Sequence, residues 1–168
     1  IIAGRPDAGE FWGLDLDNWL DIAVFNFTVD RAGSHQIMEY RESSYIPWGE
    51  SQEVVLADEE DHYDNGVENL KEFAKDPKQL ADFQEVYDRV MPNALKRAFG
   101  RLEGPDNAFC LEHGLKRNST EAIVNRYLNE MHGHMVGTGL MFPPMSAFEA
   151  IKCELADSTR EILLSLQR

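Results

Sequence analysis

Three side chains have the types and the spacing to hold a metal ion: Asp30, Glu59 and His62. Glu59-Glu60-Asp61-His62 is an E-x-x-H, and residues at i and i+3 project from one face of a helix. The apolar stripes around these residues make them conspicuous. The stripe Leu16, Trp19/Leu20, Ala23, Phe27 continues to Asp30, and the stripe through Val55, Gly66, Leu70 and Phe73 passes through Glu59 and His62. A carboxylate on a face that otherwise reads as core must be paired, protonated or bound to a cation, because burying it alone is costly.

The chain between them supplies the geometry. Ser43-Ser44-Tyr45-Ile46-Pro47 reads as a turn, with Pro47 suited to opening a helix. Asp30 and Glu59 are equidistant from its centre near residues 44–45, so an antiparallel helical hairpin sets them at one height. Asp30, Glu59 and His62 are then expected to converge inside the bundle. A carboxylate from one helix and a Glu-x-x-His from its neighbour is half of a di-metal carboxylate ligand set. Spacing alone serves a second arrangement equally well. There Asp30 pairs with Arg31 or Arg41, and Glu59 to Asp61 form a solvated acidic patch.

Helical periodicity runs through the rest of the chain. A first helix is expected from Leu16 to about Arg41, and a second from about Pro47 to Ala74. A third, about 78–99, carries Leu80, Phe83, Val86, Tyr87, Val90, Ala94 and Leu95, with a kink expected at Pro92. Gly100 to Asn118 is looser and has room for one short helix. A fourth long helix is expected at about 119–136, a loop over Gly137 to Pro144, and a last helix at about 145–167. That last helix would place Phe148, Ile151, Leu155, Ile162 and Leu166 on one face. No strand-like alternation of useful length appears, so the fold is expected to be all-α: a long antiparallel hairpin plus additional C-terminal helices, forming one domain or the C-terminal part of one. His35 reads as a core residue or one that supports the site, His113 as a packing residue, and His132 and His134 as surface or capping residues. Cys110 and Cys153 read as buried small residues.

Composition narrows the function classes. The 168 residues carry 30 acidic and 16 basic side chains, a net charge of −14, which disfavours salt-driven nucleic-acid binding. No apolar run approaches the roughly 20 residues of a membrane span. Two cysteines without a C-x-x-C indicate neither a disulfide framework nor a thiolate zinc site, and a cytoplasmic location is the default expectation.

These residues also stand in a wider pattern. Asn18-Trp19-Leu20-Asp21, Val29-Asp30-Arg31-Ala32-Gly33, Ser44-Tyr45-Ile46-Pro47-Trp48 and Glu59-Glu60-Asp61-His62 resemble the catalytic A-type subunit of phenylacetyl-CoA epoxidases. The likeness continues through Met91-Pro92, Ala98-Phe99-Gly100, Gly104-Pro105-Asp106-Asn107, Gly114-Leu115-Lys116-Arg117 and Met141-Phe142-Pro143, over roughly residues 15–143. The resemblance implies a ferritin-like fold and a di-iron monooxygenase of phenylacetate catabolism. Such an enzyme uses O2 to epoxidise the aromatic ring of an aryl-acyl-CoA, with NADPH-derived electrons delivered by a separate reductase component. It implies that Asp30, Glu59 and His62 are catalytic iron ligands, two hard oxygens and one imidazole nitrogen. It implies further that Arg97, Gly104, Pro105, Asp106 and Lys116 line the CoA channel, the two cations meeting phosphates.

A complete di-iron site needs a second carboxylate and a second Glu-x-x-His. Before Asp30 the only glutamate is Glu10, and there is no histidine. The non-Met start favours an N-terminal helix pair missing from this sequence, ahead of a partner chain that completes the site or a metal-poor relative. Ser146 to Arg168 departs from the family pattern. The alternative function is a non-catalytic ferritin-like subunit that packs against a related catalytic partner.

Overall fold

The computed structural model describes residues 14, 16–99 and 102–167. Glu10 and Gly100 lie outside them. Among the described residues every regular element is helical, so the expected all-α class holds. The first rod runs as α1 (Trp19–Phe25), a π-helical segment (Asn26–Asp30) and α2 (Arg31–Arg41). After the turn come α3 (Ile46–Phe73), α4 (Pro77–Ala98), α5 (Pro105–Glu112), α6 (Thr120–Met135), α7 (Met145–Ala150) and α8 (Asp157–Leu166).

Local chemistry sets most boundaries. Asn18 caps α1 by accepting from the Leu20 and Asp21 amides at 2.8 and 3.2 Å. Asp76 does the same for α4, with Pro77 in the first turn, and Ser119 caps α6. The helix α4 continues through Pro92. The expected single helix over 145–167 is instead two. Lys152 adopts φ +53°, its amide donates to the Glu149 carbonyl at 3.0 Å, and the Cys153 amide donates to the Phe148 carbonyl at 2.9 Å. Those paired bonds form a Schellman stop, built here on a lysine rather than the usual glycine.

The first rod is central, packed against α3 on one side and against α4 and α6 on the other. Phe27, Leu70, Phe83, Tyr87, Met91, Ile123, Tyr127, Leu128 and Met131 fill the space between them without solvent contact. Leu163 brings α8 into this core and Phe148 brings α7. The contact between the π segment and α3 is close. A Cβ added at Gly66 would lie 2.6 Å from the Phe27 Cα, so only glycine admits this approach.

Two expectations about the stripes need correction. Leu16 and Trp19 are exposed rather than core, and so is Val55. On α3, Gly66 and Leu70 face inward as expected, but Leu56 takes the inward place expected of Val55, joined by Tyr63 and Val67. The face carrying Val55, Glu59 and His62 therefore borders the core and opens outward.

Candidate metal centre

Asp30 ends the π segment, and Glu59 and His62 stand one turn apart on α3. Their three ligand atoms lie within 4.8 Å of one another. His62 Nδ1 is 3.8 Å from Asp30 Oδ2 and 3.9 Å from Glu59 Oε2. Two donors bound to one ion at about 2.1 Å each can be no more than about 4.2 Å apart, so these separations suit a shared cation. The convergence predicted from the hairpin is therefore present, but at the edge of the bundle rather than inside it. Side-chain exposure is 14 % for Asp30, 25 % for Glu59 and 56 % for His62. A cleft floored by two carboxylates and rimmed by an imidazole results.

The electrostatics distinguish this cleft from a solvated acidic patch. Burial, then the adjacent Glu59 carboxylate, push the Asp30 carboxyl up to about 7, with His62 offsetting part of the rise. Burial also raises Glu59. Glu59 Oε2 is buried without a hydrogen-bond partner, an arrangement that a bound cation would relieve. With its amide nitrogen turned toward acceptors, Asn26 donates to Asp30 Oδ2 at 3.0 Å and to the Ile22 carbonyl at 3.2 Å, fixing the carboxylate. The π segment is thus bounded by the ligand and by the residue that orients it. Short π segments recur at functional sites for this reason: they re-aim a side chain that a regular helix would turn elsewhere.

Neither arginine pairs with Asp30. Arg31 turns away to form an ion pair with Glu130 on α6, and no lysine or arginine pairs with Asp30 or Glu59 among the described residues. His35 is fully buried, as expected, and donates from Nε2 to Glu130 Oε2 at 2.9 Å. Arg126 Nε donates to His35 Nδ1 at 3.2 Å, so that ring nitrogen is an acceptor and the imidazole is neutral. Burial lowers the His35 pKa in the same direction. Burial works upward on Glu130, yet the His35 hydrogen bond and the Arg31 charge hold its carboxyl at about 2. Glu130 has no neighbour in sequence that marks it, and nothing short-range could have revealed this role.

A second feature lies further along α2. A cavity of about 460 Å³ is lined by Gln36, Tyr40, Phe99, Asn107 and Cys110 together with Gly104, Pro105, Asp106 and Lys116. The structure thus gathers four of the five residues expected around a thioester channel. Arg97 is exposed and does not line this cavity. Lys116 departs from expectation in a different way. It is buried, and its ammonium donates to Asn107 Oδ1 and, at 3.3 Å, to Thr120 Oγ1. Burial lowers its pKa. Cys110, expected to be buried, is half-exposed at the same cavity, whereas Cys153 is buried as expected.

His113 packs on a neighbouring ring as expected, while His134, expected at the surface or in a cap, is half-buried against an aromatic ring. His113 stacks on Phe109 with ring centroids 4.0 Å apart, and His134 meets Tyr63 edge-on at 5.5 Å. No helix among the described residues is long and apolar enough to cross a membrane. No model of a known protein family matches this chain, and no curated protein matches it either.

Proposed function

We propose that this chain carries half of the ligand set of a di-iron centre in a ferritin-like monooxygenase resembling the phenylacetyl-CoA epoxidases. The observation that carries this reading is the convergence of Asp30, Glu59 and His62, with a buried Glu59 oxygen that lacks a hydrogen-bond partner. The donor set fits the group: two hard anionic oxygens and one imidazole suit a first-row metal, and the identity of that metal as iron rests on the family resemblance. When bound, the iron supplies the reduction of O2 and the transfer of one oxygen atom to the aromatic ring. The other half of the ligands, and NADPH-derived electrons from a reductase, come from elsewhere in the assembly.

The chain's own residues hold and orient. Asp30 and Glu59 neutralise the cation, His62 closes the outer side, and Asn26 aims Asp30. The cavity beside Gln36 and Tyr40 begins six to ten residues beyond Asp30 on one helix, about 9–15 Å along its axis. An extended thioester arm would lie in this cavity with its aryl end directed toward the metal cleft. Gly104, Pro105, Asp106 and Lys116 would contact the arm, with the buried Lys116 ammonium serving a carbonyl or amide more readily than a solvated phosphate.

The test is His62→Ala in the full-length protein with its reductase. Loss of bound iron together with loss of epoxide formation from phenylacetyl-CoA is the expected result. Unchanged iron content, with intact folding and complex formation, would replace this reading with that of a non-catalytic subunit.

A further inference from the structure

The cleft has a competitor for its cation within the same chain. Arg31 directly follows Asp30, and Tyr63, the ring under its guanidinium, directly follows His62. The guanidinium carbon lies 4.4 Å from the Tyr63 ring centroid, and the Arg31 side chain is only 14 % exposed. A largely buried cation thus follows one of the two desolvated carboxylates in sequence and pairs with neither. Its Nε is buried without a hydrogen-bond partner, so Arg31 is held by the Tyr63 ring face and by one carboxylate, that of Glu130.

Glu130 is itself held firmly. Its second oxygen accepts from the neutral His35, whose other nitrogen is fixed by Arg126. Arg126 is anchored in turn by Glu39 at 2.8 Å, and Glu39 by the Asn118 amide at 3.0 Å. Because His35 is neutral, Arg31 is the charged partner of Glu130. Without that anchor, the guanidinium would be free to turn toward other acids, and Asp30 is the acidic residue next to it in sequence.

We infer that Glu130 is a positioning residue for the metal centre: by anchoring Arg31 over Tyr63 and against α6, it keeps the guanidinium out of the cleft between Asp30 and Glu59. The inference rests on the metal-site reading above.

Titration of the full-length protein with Co2+, followed by its visible absorption band, tests it. Glu130→Gln should weaken Co2+ binding about 10- to 100-fold, the usual range for a lost supporting contact. Arg31→Gln placed on top of Glu130→Gln should restore the wild-type affinity, and Arg31→Gln alone should bind at least as tightly as wild type. A purely structural role for Glu130 would not be rescued by removing its partner. Unchanged binding in Glu130→Gln, or a double variant as weak as Glu130→Gln alone, would overturn the inference. If Glu130→Gln does not fold, Arg31→Gln decides: weaker binding than wild type overturns the inference, and equal or tighter binding supports it. A wild-type protein that gives no Co2+ band would remove the metal site itself and this inference with it.

Discussion

Replacing Asp30 by asparagine should strengthen the metal-free fold while disabling the cation site. The sign follows from the direction of the shift, since the folded-state carboxyl is raised from 3.8 to about 7. Below about pH 4 both folded and unfolded chains carry a protonated Asp30, and ionisation costs nothing. As pH rises the unfolded chain ionises first, so the fold loses about 1.4 kcal/mol per pH unit until the folded group also ionises near 7. The full span is about 4 kcal/mol, and water entry past the exposed His62 rim reduces the expected effect to about 1–3 kcal/mol. Asparagine keeps the shape, and its carbonyl can still accept from the Asn26 amide. Urea unfolding in EDTA at pH 5 and pH 8 reads the difference. Asp30→Asn should exceed wild type by about 1–3 kcal/mol at pH 8 and by clearly less at pH 5. Adding Co2+ should then stabilise wild type and leave Asp30→Asn unchanged. A wild type at least as stable as Asp30→Asn at pH 8, or a gap independent of pH, would refute the claim that Asp30 is held in a desolvated site.

Gly66→Ala forces a methyl against the Phe27 backbone and should destabilise the fold by about 1–3 kcal/mol in a chemical melt. It should also lower Co2+ affinity, because the π segment that carries Asp30 must move. Lys116→Met keeps comparable volume but removes the donor to Asn107 Oδ1 and Thr120 Oγ1, so stability should fall by about 1–3 kcal/mol. Affinity for an aryl-acyl-CoA should fall by about 1.5–3 kcal/mol in calorimetry, with little dependence on salt because Lys116 is shielded from solvent. Unchanged affinity would take Lys116 out of the substrate cavity.

What the sequence made legible was local. Asp76-Pro77 and Ser119 mark their helix starts because a cap acts over three residues, whereas the α5 stop at Gly114, which takes φ +67°, lies inside a stretch that reads only as loose. The Asp30/Glu59/His62 convergence was legible for a related reason: a hairpin with a marked turn converts sequence distance into spatial height. The break between α7 and α8 was hidden because Lys152, not glycine, takes the left-handed position. The π segment was hidden because nothing in Asn26-Phe27-Thr28-Val29-Asp30 departs from a helical pattern. Glu130 was hidden because its partners His35 and Arg31 come from a helix 95 or more residues earlier in the chain. Lys116 illustrates the same limit. Its neighbour Arg117 is exposed, whereas the lysine turns inward to Asn107 on α5 and Thr120 at the start of α6.

The position of the cleft at the bundle edge bears on what it is for. Surface acids on a helix such as α3, which also exposes Glu53, Asp58, Glu60, Asp61 and Asp64, ordinarily stay hydrated. Asp30 and Glu59 instead lose solvent, crowd one another and receive no arginine, and Arg31 pairs with Glu130. Desolvating two carboxylates with no cationic partner costs the fold stability. Features that cost stability without a folding benefit concentrate at working sites. The edge location suits the proposed divided site, whose carboxylates would be withdrawn from water by their own hairpin and still face a partner that completes the coordination.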